Sequence, residues 1–154
     1  MAKPIPEGYH TLNTYIAVDD AAAAIDFYQR ALGALERFRM PTPEGKVGHA
    51  ELQIGDSMVM LSYAFPQSTT KPPKQLGGTS AAMLVYVDDV DAVVQQAVDA
   101  GATLATPVQD MFWGDRFGQV TDPFGHQWQI ATHVEDVPPD EMAERAKKAM
   151  ADMG

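Results

Sequence analysis

Two stretches of the chain follow one pattern. "NTYIAVDDAAAAIDFYQRALGA" starts at Asn13 and "AMLVYVDDVDAVVQQAVDAGA" starts at Ala82. Each reads as a strand ending in Val-Asp-Asp, then a helix, then Gly-Ala. Val18 and Val87 are 69 positions apart, and so are Leu61 and Ile130 much further along. Gly33 and Gly101 are 68 apart, a slip of one residue at the helix exit. One offset that aligns both the first and the last strands of the two halves points to a duplicated β-α-β-β-β unit.

The local patterns agree with that unit. Ala24, Ile25, Tyr28, Ala31 and Leu32 fall on one helical stripe, as do Val90, Val93, Val94, Ala97 and Val98. Asp19 or Asp20, and Asp88 or Asp89, can cap these helices, and Gly33 and Gly101 suit a left-handed stop. "KVGHAELQI" and "SMVMLSYA" flank Gly55-Asp56, a hairpin signal. "DRFGQVT" and "HQWQIATH" flank Asp122-Pro123-Phe124-Gly125, which suits a type I turn. The fold class is therefore α+β, with tandem β-α-β-β-β modules over 9–64 and 81–137. The Pro- and Gly-rich stretch 65–80 reads as a linker. Residues 138–154 read as a C-terminal helix with a thin stripe of Met142, Ala146, Ala149, Met150 and Met153.

Composition excludes several classes. There is no cysteine, so thiolate nucleophiles, disulfides, iron–sulfur clusters and cysteine zinc sites are all excluded. The formal charge of −10 repels phosphate backbones, which argues against nucleic acid, and would attract a cationic small ligand; it equally serves solubility. No apolar run is long enough to cross a bilayer, and the N-terminus lacks the apolar segment of a secretory signal. The expectation is a cytoplasmic protein with no membrane partner.

The helix "IDFYQRALGA", the hairpin "GHAELQIGDSMVMLSYA" and above all "FWGDRFGQVTDPFGHQWQIATHVEDV" resemble the vicinal oxygen chelate superfamily, the group of glyoxalase I, bleomycin-resistance proteins and extradiol dioxygenases. The chain is most similar to its PhnB-like branch, over roughly residues 9–137. The resemblance implies paired modules whose sheets curl into a cup that holds a metal or a ligand, and many members are homodimers. Fold alone does not give function, because this scaffold carries many activities.

In metal-using members the ligands come from the first and last strand of each module. Carried over by position, these fall at Asn13, Met60, Ala82 and Gln129. Divalent transition ions want imidazole or carboxylate, whereas these positions offer two amides, a thioether and a methyl. Shifting the register by one or two residues brings in no His, Asp or Glu. No metal and no cofactor is expected.

The remaining candidates are weaker. His126 and His133 are seven apart on one strand, hence on opposite faces and about 20 Å apart at about 3.3 Å per residue. They cannot share a metal; His126 is expected to be solvated past its turn, and both read as structural or surface groups. Alternation turns Ala50, Leu52 and Ile54 to the helix and Val47, His49, Glu51 and Gln53 away from it. His49 and Glu51 could then pair as a general base and its orienter. Met58 and Met60 would line the floor. The loop "MFWGDRFG" could form a lid from Phe112 or Trp113 beside Arg116, or wedge its aromatics between the modules. Tyr63 and Tyr86 are further ligand-lining candidates by position. Phosphate-loop and nucleophile-elbow motifs are absent.

The leading expectation is a metal-independent homodimer that binds a small organic ligand in the cup, of the glyoxalase/bleomycin-resistance type. One alternative is a metal-free isomerase or lyase with His49 as general base. A second is a metal-dependent glyoxalase-like lyase.

Overall fold

The structure is a computed structural model that describes all 154 residues. It contains two copies of one module, followed by a helix. The first copy is β1 (Thr14–Val18), α1 (Ala21–Leu32), β2 (Leu35–Pro41), β3 (Val47–Ile54) and β4 (Ser57–Tyr63). A short helix α2 (Pro73–Leu76) interrupts the connection. The second copy is β5 (Ala82–Tyr86), α3 (Val90–Ala100), β6 (Thr103–Asp110), β7 (Asp115–Thr121) and β8 (Gln127–His133), and α4 (Pro139–Asp152) ends the chain. The sheets have matching orders, β1-β4-β3-β2 and β5-β8-β7-β6, and no strand of one pairs with a strand of the other. In each, the first strand runs parallel to the last and the other pairs are antiparallel.

Local chemistry explains the helix ends. Asp20 and Asp89, the second aspartates of each pair, accept from the backbone N–H of Ala23 and Ala92. Gly33 closes α1 at φ 65°, a left-handed position that costs other residues a Cβ clash.

Each helix packs on one face of its own sheet, and α1 packs against α3. Ile16, Val18, Leu52 and Leu61 from one module and Val94, Val120, Trp128 and Ile130 from the other join one buried cluster. The joint is polar at its centre. The Asp122 carboxylate, buried in the second hairpin turn, accepts from Tyr28 Oη of α1 (2.5 Å), Trp128 Nε1 (2.9 Å) and the backbone N–H of Phe124 and His126 (2.9 Å each). His126 is 8% exposed and its Nε2 donates to the carbonyl of Ala17 at 2.8 Å. The expectation of a solvated His126 is thus corrected: the turn is covered by the first module, and the imidazole bridges the two.

The helix α4 has no buried residue. Arg145 anchors it, donating to both oxygens of Glu135, to Glu141 and to the carbonyl of Phe112. No helix of the chain is long and apolar enough to cross a membrane.

Candidate ligand-binding site

The sheet faces turned away from the helices carry the chemistry. On the first sheet, strand register sets Phe38 (β2), Glu51 (β3), Met60 (β4) and Tyr15 (β1) side by side in one row. The next row is Met40, His49, Ser62 and Ala17. Tyr15 Oη lies 3.2 Å from His49 Nδ1, and the rings of Tyr15 and Phe38 stand 5.7 and 6.4 Å from the imidazole. His49 Nε2 is 3.8 Å from Glu51 Oε1, close enough for an ion pair but too far for a hydrogen bond. The two side chains are 21% and 29% exposed. Ahead of β1, Tyr9 folds toward Glu51: its hydroxyl is buried with no partner other than that carboxylate, and burial, then the bond to Glu51 and its charge, push it up to about 12.

The second sheet presents a different surface. Its equivalent row is Thr106, Gln119, Gln129 and Leu84. Gln129 Nε2 donates to Gln119 Oε1, and Gln119 Nε2 and Thr121 Oγ1 both donate to Gln127 Oε1, an amide ladder across β7 and β8. Beyond it Tyr86 Oη, Trp113 Nε1 and His133 Nδ1 converge on Asp115. Burial pushes the Asp115 carboxyl up, but the three donors, His133 first, hold it below the usual range. His133 Nε2 also meets Asp136 at 2.7 Å, and the two carboxylates raise its imidazole.

The positions carried over from the family do not make a metal site. The Asn13 amide is spent on the backbone of His10, accepting from its N–H and donating to its carbonyl. Met60 sits between Glu51 and Tyr15, Gln129 is bonded to Gln119, and Ala82 is an exposed methyl. One hard donor, Glu51, lies in the row where an ion would sit. That donor set does not fit a transition ion of the family's kind.

Of the other candidates, Met58 and Tyr86 line one cleft of about 650 Å³ together with Ala82, and the rest are spread over several places. Met58 is buried on the floor beside Gln53. Trp113 is half-buried, edge-on to Phe112 and Phe117 and tied to Asp115, so it neither hangs free as a lid nor wedges between the modules. Arg116 does not accompany it. Alternation turns Arg116 to the helix side, where its guanidinium bonds both oxygens of Asp91 on α3 and reaches Asp110. Tyr63 pairs in register with Val18 and so points to the helix face, beneath the Lys46 ammonium at 5.0 Å. Tyr86 stands on the open face, 59% exposed. Sequence reasoning missed Tyr15, Phe38, Tyr9 and Gln119. Period-two alternation from Asn13 already places Tyr15 on the open face, and the 68-residue offset makes Gln119 the counterpart of Glu51.

A family model described as the Glyoxalase/Bleomycin resistance protein/Dioxygenase superfamily matches residues 9–130. The chain belongs to this superfamily. An uncharacterized protein of Mycobacterium bovis is 46% identical over 134 residues, covering 85% of this chain and 88% of that one. The crystal structure of TioX from Micromonospora sp. ML1 superposes with a TM-score of 0.63 at 29% identity, over 81% of this chain and 99% of that one. The structure of a PhnB protein from Bacillus cereus has a TM-score of 0.62 at 17% identity, over 80% of this chain and 99% of that one, a likeness of fold.

Proposed function

We propose that this superfamily member is a metal-independent protein that binds a small organic molecule on the open face of the first sheet, with a second copy of the chain closing the cup. The observation that carries the reading is the donor set: by resemblance, the positions of the family's metal ligands fall at Asn13, Met60, Ala82 and Gln129, none an imidazole or carboxylate. Rings and thioethers take the space instead, and Tyr15, Phe38 and Met40 remain exposed around His49 and Glu51. Such a surface suits a flat, partly apolar guest. Closure by a second copy is supported by Leu84 and Tyr86, apolar and exposed on the other sheet. A cytoplasmic location is part of the same proposal.

A thermal-shift screen of small organic molecules, run with and without chelator, tests the reading. A guest stabilises the folded chain by mass action, so hits that keep their full shift in chelator support it. Hits that vanish in chelator and return with added metal refute it.

One observation favours a second reading. Tyr15 Oη on Nδ1 holds the His49 ring, and Nε2, 3.8 Å from Glu51, has no hydrogen bond, as a general base requires. A metal-free isomerase or lyase would then show turnover that disappears in His49→Ala. Binding without turnover, retained in that variant, excludes it.

A further inference from the structure

We propose that the guest is an organic cation bearing at least one N–H, held by the Glu51 carboxylate with the Tyr9 hydroxyl beside it. The proposal rests on the reading that the open face binds a small organic molecule, and it names the class.

Glu51 accepts no hydrogen bond from any N–H of the chain, although less than a third of its side chain remains exposed; only the Tyr9 hydroxyl is placed to donate to it. Its neighbours along the row are Phe38 on one side and Met60 then Tyr15 on the other. A carboxylate drawn out of water among rings and a thioether loses hydration that one neutral hydroxyl replaces only in part. The cations of the adjoining strand are engaged elsewhere: Arg37 donates to Gln53, and Arg39 pairs with Glu36. His49 approaches only to 3.8 Å, and its other nitrogen is committed to Tyr15. The buried Tyr9 hydroxyl has no partner other than this carboxylate, and as a neutral donor it leaves the charge uncompensated.

One ligand chemistry satisfies all of these groups. A protonated amine or amidine donates N–H to Glu51 and to the Tyr9 oxygen, and lays its charge along the faces of Tyr15 and Phe38. A neutral guest offers at best an uncharged donor and leaves the charge of the carboxylate uncompensated, and an anion is repelled by it. The chain's net charge of −10 favours approach of a cation from solution.

Three probes of one shape test this: benzylamine, benzyl alcohol and benzoate, titrated into the full chain by calorimetry or ligand-observed NMR. A hydrogen bond to a charged group predicts benzylamine binding at least about tenfold more tightly than benzyl alcohol, with benzoate weakest. In Glu51→Gln, checked for an unchanged fold by circular dichroism, the amine falls to within about twofold of the alcohol. Tyr9→Phe weakens the amine and leaves the alcohol alone. A wild-type measurement stands independently of any variant: the preference for amine over alcohol shrinks as salt is raised. Equal affinity for amine and alcohol, or a preference that survives Glu51→Gln, overturns the cation proposal while leaving small-molecule binding intact. Failure of all three probes to bind overturns the proposal and the reading beneath it.

Discussion

Replacing Tyr28 by phenylalanine removes one oxygen from the joint between the modules and leaves the ring in place against Phe27, Phe124 and Trp128. The lost bond runs to a buried carboxylate, a class that contributes about 1.5–3 kcal/mol. Asp122 keeps its donors from Trp128, Phe124 and His126, so the carboxylate is not orphaned and the lower end applies, about 1.5 kcal/mol. With a urea slope of about 2 kcal/mol/M, the midpoint of unfolding should fall by about 0.7 M at unchanged slope. The thermal midpoint should fall by about 3–6 °C. Alkaline pH gives a second readout. Burial first, then the Asp122 charge, push the Tyr28 phenol well above its ordinary value of 10.0. The unfolded chain therefore releases this proton before the folded one does, and Tyr28 lowers stability as pH rises above about 10. Tyr28→Phe removes that contribution, so its stability declines less steeply there. A urea midpoint that does not move, or an alkaline slope equal to wild type, would refute the claim that this hydroxyl ties the modules together.

Other outcomes follow from the same geometry. Gly114→Ala places a methyl 2.2 Å from the carbonyl oxygen of Glu135 at φ 102°, so the variant should lose at least about 3 kcal/mol in denaturant titration. His133, raised by Asp115 and Asp136, favours the fold below its ordinary pKa and loses that contribution as pH rises through the raised value. Thermal melts should therefore drop more for wild type than for His133→Gln between about pH 6 and about pH 9; parallel profiles would rule out the ion pair. Light scattering should return twice the 16.7 kDa mass of the chain, and Leu84→Lys should shift it toward one copy; a monomeric wild type contradicts closure by a second copy.

Much of the architecture was legible because it was written twice. The 69-residue offset, the two helical stripes and the Asp-Pro-Phe-Gly turn each followed from periodicity or turn chemistry, and the strands they bound pair as expected. The edge strands β2 and β6 were not delimited. Every residue of β2 is exposed, so it carries no buried alternation, and both pairings contain register shifts. That is why Phe38 escaped notice although it sits beside Glu51. Arg116 is a site candidate by residue type and Tyr63 by position, whereas strand parity sends both to the helix face. His126 and Asp122 could not be read as buried, because what covers them is the other module, and a turn sequence says nothing about what packs over it. Tyr9 lies before the first strand, in a segment without periodicity, and only the fold brings it to Glu51.

The most direct measurement is metal titration of chelator-treated protein, with zinc and nickel followed by calorimetry and elemental analysis. The account predicts no saturable uptake of one ion per chain and unchanged affinity for an organic guest in either metal. Stoichiometric uptake abolished by substitutions at Gln129 or Glu51 would contradict it.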